Sequence, residues 1–497
     1  MIWLSFFVLI SYIFLCKYWK HLCFWRRKCV TYSRPVPLFG NLWSVIFRKI
    51  SYPNKIKELY NEFPQNRYNG VFELSKPKLL IRDRELAEDI FTKNFEKFSD
   101  RKPDGLLKLD SLLGRNLYFS NHKDWKRMQP CMDNCFKNFP KENVFSTISL
   151  TMESLTNYLL EDISKKKQPI NFEAVDFFRR ITNDVIAAVV FDQKCNSLRD
   201  KDNEFFKMTR QILKTEGATS MKMFLGDSLP IFKNIFNAIP LYPTNVSEYF
   251  NDLIYKKFKL EDSPFSHLLI NANEVNDNLS RDDVLAQVLS FFFIGFEPLV
   301  KTMSFLAYEL ALNVQMQKKL ELEIDRIFYE DSDDRVTFEN LSKIRYFDAV
   351  VLETLRKWPS AVQIERICTK DYILSVKRQS ECGIRLEKGD TVLLPVYGFH
   401  HDKRQFPCPE KFDPDRFLNK DLDEILNTFN FFPFGIGPRR CLAMELSILI
   451  VKTVFFDIIS KFEISVIQHT EIPLKLSKTT THLHPQNGIY LGLRPRK

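Results

Sequence analysis

Phe434-Gly435-Ile436-Gly437-Pro438-Arg439-Arg440-Cys441-Leu442-Ala443 is the stretch on which the reading of this chain turns. A single cysteine follows a rigid Gly/Pro loop, with Arg439 two residues before it. A strongly apolar stretch of helical character then runs from Leu442 to Phe462. This arrangement suits one task, the presentation of a thiolate to a metal centre from the start of a helix. Backbone N–H groups of the loop can point at the sulfur, and the positive end of the helix dipole and a nearby arginine lower the thiol pKa. A cysteine before an apolar helix is, taken alone, more often a small buried hydrophobe. The spacing of its neighbours argues otherwise.

The chain has 497 residues, enough for a large core, and 45% of them are hydrophobic, with 46 phenylalanines. That composition excludes a disordered protein and favours an apolar interior. Ten cysteines show no paired framework, so the body reads as reduced and cytosol-facing. Cys131 and Cys135 fall on one helical face, but no nearby His or Cys pair completes a zinc site, and they read as structural. No aromatic-interleaved basic tract argues for nucleic acid, despite a net charge of +10. No Gly-rich nucleotide loop is present, so the chain is not expected to bind its own NADPH or flavin.

Ile2 to Cys16 is an apolar run without a charge, followed by Lys17, Lys20, Arg26, Arg27 and Lys28. As a helix it spans about 22 Å, short of the ~30 Å hydrocarbon core, and Tyr18, Trp19 and a snorkelling Lys17 extend it. It lacks the charged leading region and small-x-small site of a cleaved signal peptide, so an uncleaved signal anchor is expected. The basic cluster behind it predicts a cytoplasmic body. The chain is accordingly divided into residues 1–19 as anchor, 20–41 as a basic, proline-containing linker, and 42–497 as one catalytic domain. Helical patterns dominate from Asp124 to Phe462, with β-like runs at Gly70–Arg82 (interrupted by Pro77), Gln363–Cys368, Ile384–Val396 and near the C-terminus. The expected class is mainly α with small β-sheets.

Two further motifs accompany the cysteine loop. Phe347 to Trp358 reads as a helix stopped by Pro359, and within it Glu353 and Arg356 share a face. Phe412-Asp413-Pro414-Asp415-Arg416-Phe417 follows. Together with Phe434, Gly437, Arg439 and Cys441, in this order and spacing, these segments resemble the cytochrome P-450 family, with its Glu-x-x-Arg helix, its Pro-Glu-Arg-Phe element and its Phe-x-x-Gly-x-Arg-x-Cys-x-Gly loop. Asp402, Phe406, Pro409 and Phe412 also fall where the family's meander lies. The resemblance extends from about Tyr32 to the C-terminus and includes the anchor and the Arg34-Pro35-Val36-Pro37 hinge of microsomal members. Leu355-Arg356-Lys357-Trp358-Pro359, followed by Arg366, Cys368, Lys370, Asp371 and Tyr372, is most similar to insect and related arthropod members that metabolise foreign compounds.

The resemblance implies the P-450 fold and heme b held by Phe434, Gly437, Arg439 and Ala443, with Cys441 as the axial thiolate. Ala443 stands where the family has glycine. Glu353, Arg356 and Arg416 are implied as a buried ion triad that locks the cysteine loop, and Trp125, Arg366 and Arg439 as partners of the heme propionates. It implies a monooxygenase using O2 and electrons from NADPH, delivered by NADPH–cytochrome P-450 reductase with cytochrome b5 as a further donor. The substrate would be small and hydrophobic. The implied location is the endoplasmic reticulum membrane, with the body facing the cytoplasm and the positive charge facing anionic lipid and an acidic redox partner. Lys126, Arg127, Arg439 and Arg440 are candidates for the docking face. By family position the substrate pocket draws on Asp100–Tyr118, Phe291–Pro298, Ser360–Glu365 and the segment near His482–His484. Consecutive Phe291, Phe292 and Phe293 lie about 100° apart on a helix and cannot all face it.

Two departures stand out. Over the distal face the chain reads Ile294-Gly295-Phe296-Glu297-Pro298. Gly295 and Glu297 are kept as catalytic candidates, but Pro298 replaces the threonine that normally orders water and passes protons. Proline also clashes with the carbonyl four residues back, at Ile294, at a cost of ~3 kcal/mol or more in a regular helix. Thr302 lies about 5.4 Å further along, too distant to substitute. A kink with water-mediated proton delivery through Glu297 is one outcome. A heme-thiolate isomerase or dehydratase, or a poorly coupled heme protein, is the other. The second departure is Gln129, which stands at the arginine position of the family's Trp-x-x-x-Arg helix and brings no charge to the propionates.

Overall fold

The computed structural model describes residues 22–101, 115–213, 244–257, 280–330 and 336–496, the last without 379, 380, 382, 419 and 427. The anchor 1–19 and part of the expected pocket segment after Asp100 lie outside the described residues. Eleven helices of ten or more residues are described: α1 Tyr52–Asn61, α2 His122–Lys137, α3 Lys141–Lys166, α4 Ala174–Phe191, α5 Glu204–Leu213, α6 Thr244–Lys257, α7 Arg281–Ser290, α8 Glu297–Leu312, α9 Val314–Glu330, α10 Arg345–Lys357 and α11 Met444–Lys461. Nine short strands accompany them: β1 Tyr68–Glu73, β2 Lys76–Ile81, β3 Ile170–Glu173, β4 Ile364–Ile367, β5 Tyr372–Leu374, β6 Ile384–Leu386, β7 Thr391–Leu394, β8 Phe462–Val466 and β9 Tyr490–Pro495. The molecule is mainly α with small sheets, as its patterning implies.

Local chemistry starts and stops these elements. Asn121 caps α2 by accepting from the Asp124 N–H, and Glu173 caps α4 by accepting from Val175 and Asp176. Pro359 ends the run of α10 just past its C-cap Trp358. α11 begins at Met444, two residues later than the apolar pattern suggests, because Leu442 and Ala443 still belong to the cysteine turn. Its expected last residue, Phe462, is instead the first of β8.

The sheets run in the orders β1-β2-β7-β4, β3-β9-β8 and β5-β6. Among the described strands only β2 and β7 pair in parallel, and α2 to α10 lie between them in the chain. Pro77 does not break the run at Gly70–Arg82. It stands opposite Phe72, whose own N–H and C=O are both taken by Asn41, at 2.6 and 2.9 Å. The N–H that proline lacks is therefore not missed. Asn41 also donates to the carbonyls of Ser33 and Arg34, so residues 33–41 lie against β1. Trp25 is buried in the core around this sheet and donates to the Val71 carbonyl.

The larger core is helical. α8 lies at its centre, packed by α4, α9, α10, α11 and β8. The stretch Ala286–Leu312 is long and apolar enough to cross a membrane, but most of it is buried inside the protein. Phe305 of α8 stacks on Trp358 at 4.6 Å between ring centres, and Trp358 donates to Glu309 at 2.8 Å. These contacts tie the helix bearing Glu297 to the helix bearing Glu353.

Candidate active site

The cysteine loop is a sequence of tight turns. Cys441 N–H donates to the Phe434 carbonyl at 2.8 Å, and Arg440 N–H donates to Gly437. Gly437 has φ +72°, and a Cβ there would sit 1.9 Å from the Phe91 carbonyl oxygen. No other residue fits both the conformation and the contact. Cys441 has ample accessible surface, yet burial is the largest influence on its thiol. Both hold because the sulfur faces a void inside the protein rather than bulk solvent. Burial raises the thiol pKa, while the Ala443 backbone and the Arg101 charge lower it. The sequence reading expected a net lowering helped by Arg439. The arginine acting on the sulfur is Arg101, and desolvation wins in the protein alone.

Three guanidinium groups surround the loop. Arg101 donates to the Arg439 carbonyl at 2.8 Å, Arg439 donates to Ser120 at 2.9 Å, and Arg366 of β4 donates to the Glu365 carbonyl at 2.8 Å. Arg101 Nε and Nη1, Arg366 Nε, and Arg439 Nε and Nη1 remain buried without a hydrogen-bond partner. No carboxylate among the described residues comes within 4.0 Å of any of the three. Burial and mutual repulsion hold Arg366 well below its ordinary pKa. Arg439 is pushed down to about 9 by burial and by Arg101. A buried cluster of like charges persists only with anions beside it. The two carboxylates of a heme supply that partner, so the residues present fit the group.

Trp125 is buried beneath this cluster, with the Arg439 guanidinium 5.1 Å from its ring centre. Arg439 therefore cannot belong to a docking face, where the sequence reading also put it. Its charge is turned inward and only 4% of its surface is accessible. Arg440 and Lys126 are exposed, and Lys126 lies 3.8 Å from Glu96. Arg127 is exposed and lies 3.5 Å from Asp283. Arg101 is the residue that sequence reasoning missed. The one available signal was the deficit of charge at Gln129.

Behind the loop, Arg356 makes a two-pronged pair with Glu353 at 2.7 and 2.9 Å, both side chains wholly buried. Arg356 also donates to the carbonyls of His400 and Pro409, and Glu353 accepts from the Asp413 N–H. Arg416 is the looser third member, its Nε 3.5 Å from Glu353. Desolvation raises the Glu353 pKa, opposed by Arg356. Burial holds His400 well below its ordinary pKa, so it is neutral, and its Nε2 accepts from the Phe432 N–H at 2.8 Å. A continuous path thus runs from α10 through Arg356 and His400 to the base of the cysteine loop. The meander residues join it. Phe406 packs on His400, Phe417 and Phe431, while Asp402 accepts from Tyr60 at 2.7 Å.

On the other side, residues 291–296 are wound as a π-helix, and Pro298 stands at the start of α8. The wider turn takes the Ile294 carbonyl away from the position that the proline ring would strike. The clash expected from a regular helix is relieved in this way. The side chains of Phe291, Phe292 and Phe293 lie outside the described residues. An added Cβ at Gly295 would meet nothing within 4 Å, so open space adjoins the helix there. Glu297 is not free. Arg179 of α4 donates to its Oε1 from Nε at 3.2 Å and from Nη2 at 3.0 Å. Thr302 is buried within α8.

The sequence model of the cytochrome P-450 family matches residues 31–492. Cytochrome P-450 9e2 of Blattella germanica is 31% identical, over 99% of this chain and 97% of that relative. Cytochrome P-450 6j1 of the same insect is 30% identical, over 97% and 95%. Probable cytochrome P-450 9f2 of Drosophila melanogaster is 29% identical, over 95% of each. A cysteine facing an interior void, arginines lacking anions and a continuous match to these insect proteins have one common explanation: the chain belongs to the cytochrome P-450 family and is a monooxygenase.

Proposed function

We propose that this protein is a heme-thiolate enzyme that inserts one oxygen atom of O2 into small apolar substrates, foreign compounds or lipid-like molecules, with electrons from NADPH by way of a reductase. The observation that carries this reading is the cluster of buried Arg366 and Arg439 with half-buried Arg101, whose enclosed guanidinium nitrogens have no carboxylate beside them among the described residues, next to the void that Cys441 faces. Cys441 would hold the heme through its sulfur, with Phe434, Gly437 and Ala443 shaping its turn. Heme, when bound, would supply oxygen activation, favoured by a thiolate from Cys441. Arg366, Arg439, Trp125 and Arg101 hold the propionates, the last in the role that Gln129 leaves open.

Glu353, Arg356 and Arg416 keep the cysteine turn rigid. Gly295 leaves room beside the helix. Glu297 carries protons while tethered by Arg179, which limits its swing. Residues 1–19 anchor the chain in the endoplasmic reticulum membrane, 20–41 link, and 42–497 form the catalytic domain facing the cytoplasm. Cytochrome b5 serves as a second electron donor, and Lys126 and Arg440 belong to the docking face.

Reconstitution with a reductase tests the reading. Product from a panel of apolar substrates should depend strictly on NADPH and reductase. Turnover of hydroperoxides without NADPH, and no product with it, would favour the isomerase alternative that Pro298 raises. Cys441→Ala should abolish the thiolate Soret band of the reduced CO complex; a persisting band would refute the ligand assignment.

A further inference from the structure

Arg101 has a well-placed backbone and a weakly held side chain. The Asp100 carbonyl accepts from the Ile367 N–H at the end of β4, and the Asp100 carboxylate accepts from the His122 N–H at the start of α2, both at 2.8 Å. The guanidinium itself makes one hydrogen bond among the described residues, from Nη2 to the Arg439 carbonyl. Arg366 and Arg439 both feel its positive charge. A long cationic side chain beside two like charges leaves for water unless something attracts it. What attracts Arg101 is Tyr118, whose ring centre lies 3.9 Å from the guanidinium carbon. The ring is fixed in turn. Residues 115–120 form a turn in which the Asn116 side chain accepts from the Phe119 N–H and its carbonyl from the Ser120 N–H. Gln287 of α7 is buried, accepts from the Leu117 N–H at 2.8 Å and donates to the Arg115 carbonyl at 3.2 Å. The same turn ends at Ser120, whose carbonyl accepts from Arg439. Ring, Arg101, Arg439 and turn therefore close on one another.

We infer that Tyr118 is a positioning residue for the heme: its ring, set by the Gln287 clamp, keeps Arg101 among the other two arginines with Nε and Nη1 left for a propionate. This rests on the heme-thiolate reading and deepens it. The ring face does the work rather than the hydroxyl, because the attraction comes from the quadrupole of the ring. The arrangement also follows from Gln129. An arginine at that place would be held by α2 itself, whereas Arg101 comes from a segment outside any helix and needs a second residue to keep it in place.

The test uses the full-length, heme-loaded protein and four variants: Tyr118→Phe, Tyr118→Leu, Arg101→Gln and the double change Y118L with R101Q. Heme transfer to apomyoglobin and the midpoint potential of the heme are measured for each. Tyr118→Leu should release heme about two- to fivefold faster, the scale of one partly exposed cation–π contact. It should also lower the midpoint potential, because a cation near the propionates favours the reduced heme. Tyr118→Phe keeps the ring and should match the unaltered protein. In the double variant both effects should be no larger than in Arg101→Gln alone, because the ring acts only through the guanidinium. Losses that add in the double variant overturn the inference and leave the ring a merely structural part. So does a Tyr118→Phe variant as impaired as Tyr118→Leu, or a Tyr118→Leu variant with unchanged release and potential. The CO complex of the same preparations keeps the two readings apart. A thiolate band missing from the unaltered protein overturns the heme-thiolate reading and the inference with it, whereas an intact band with additive losses overturns the inference alone.

Discussion

At the scale of single residues, charge is placed where only a partner makes it tolerable. Arg101 acts on both Cys441 and Arg439. If it holds a propionate, Arg101→Gln should release heme several-fold faster to an acceptor such as apomyoglobin, and adding Gln129→Arg should restore part of the loss. Unchanged release from the single variant would remove Arg101 from the cradle. Asp184 of α4 offers a cleaner titration. It is wholly buried, accepts from the Ser197 N–H and hydroxyl and from Asn183, and burial pushes its pKa up to about 6. The folded state therefore holds this proton more tightly than the unfolded chain. The stability it contributes is complete below about pH 4, is lost as the pH rises to about 6, and is flat above. The shift corresponds to about 3 kcal/mol at most. Asp184→Asn should remove that slope from thermal unfolding measured between pH 4 and 6, and identical slopes in the two proteins would contradict it.

At the scale of elements, two helices decide the site. α10 positions Arg356, whose bond to His400 and the bond of His400 to Phe432 reach the cysteine turn. Arg356→Ala leaves the Glu353 carboxylate buried without its partner, at a cost of about 3–5 kcal/mol. Differential scanning calorimetry should show a large drop in Tm together with loss of bound heme. The second helix is the one whose π-wound turn accommodates Pro298. Pro298→Thr supplies a hydroxyl beside Glu297 and restores an N–H to the ladder. With reductase and substrate, it should raise product per NADPH and lower the hydrogen peroxide released. An unaltered ratio would mean that proton delivery does not pass this position.

For the molecule as a whole, the charge of +10 is spread over a surface on which Lys126 and Arg440 are exposed. Exposed charges act through solvent and are screened with a Debye length near 8 Å at physiological salt. Reduction of the heme by an acidic reductase should therefore slow as ionic strength rises, while binding of a neutral substrate stays constant. A rate insensitive to salt would remove the electrostatic docking argument. Buried Arg366 and Arg439 should contribute little to that salt dependence.

The sequence by itself determined the cysteine turn, the Glu353–Arg356 pair and the helical class. Each rests on residues a few positions apart, where loop geometry and helical period fix the contact before any folding is considered. It also exposed the two departures, Pro298 and Gln129, because a missing hydroxyl or charge is visible in the letters. Only the tertiary structure decided what replaces them. Arg101 meets Arg439 across 338 residues, and Arg179 meets Glu297 across 118. It turned Arg439 inward from the surface where its sequence position had suggested it. Such pairings depend on which surfaces exclude water and which charges end up facing each other, and burial and distance of that kind come into being only when the chain packs.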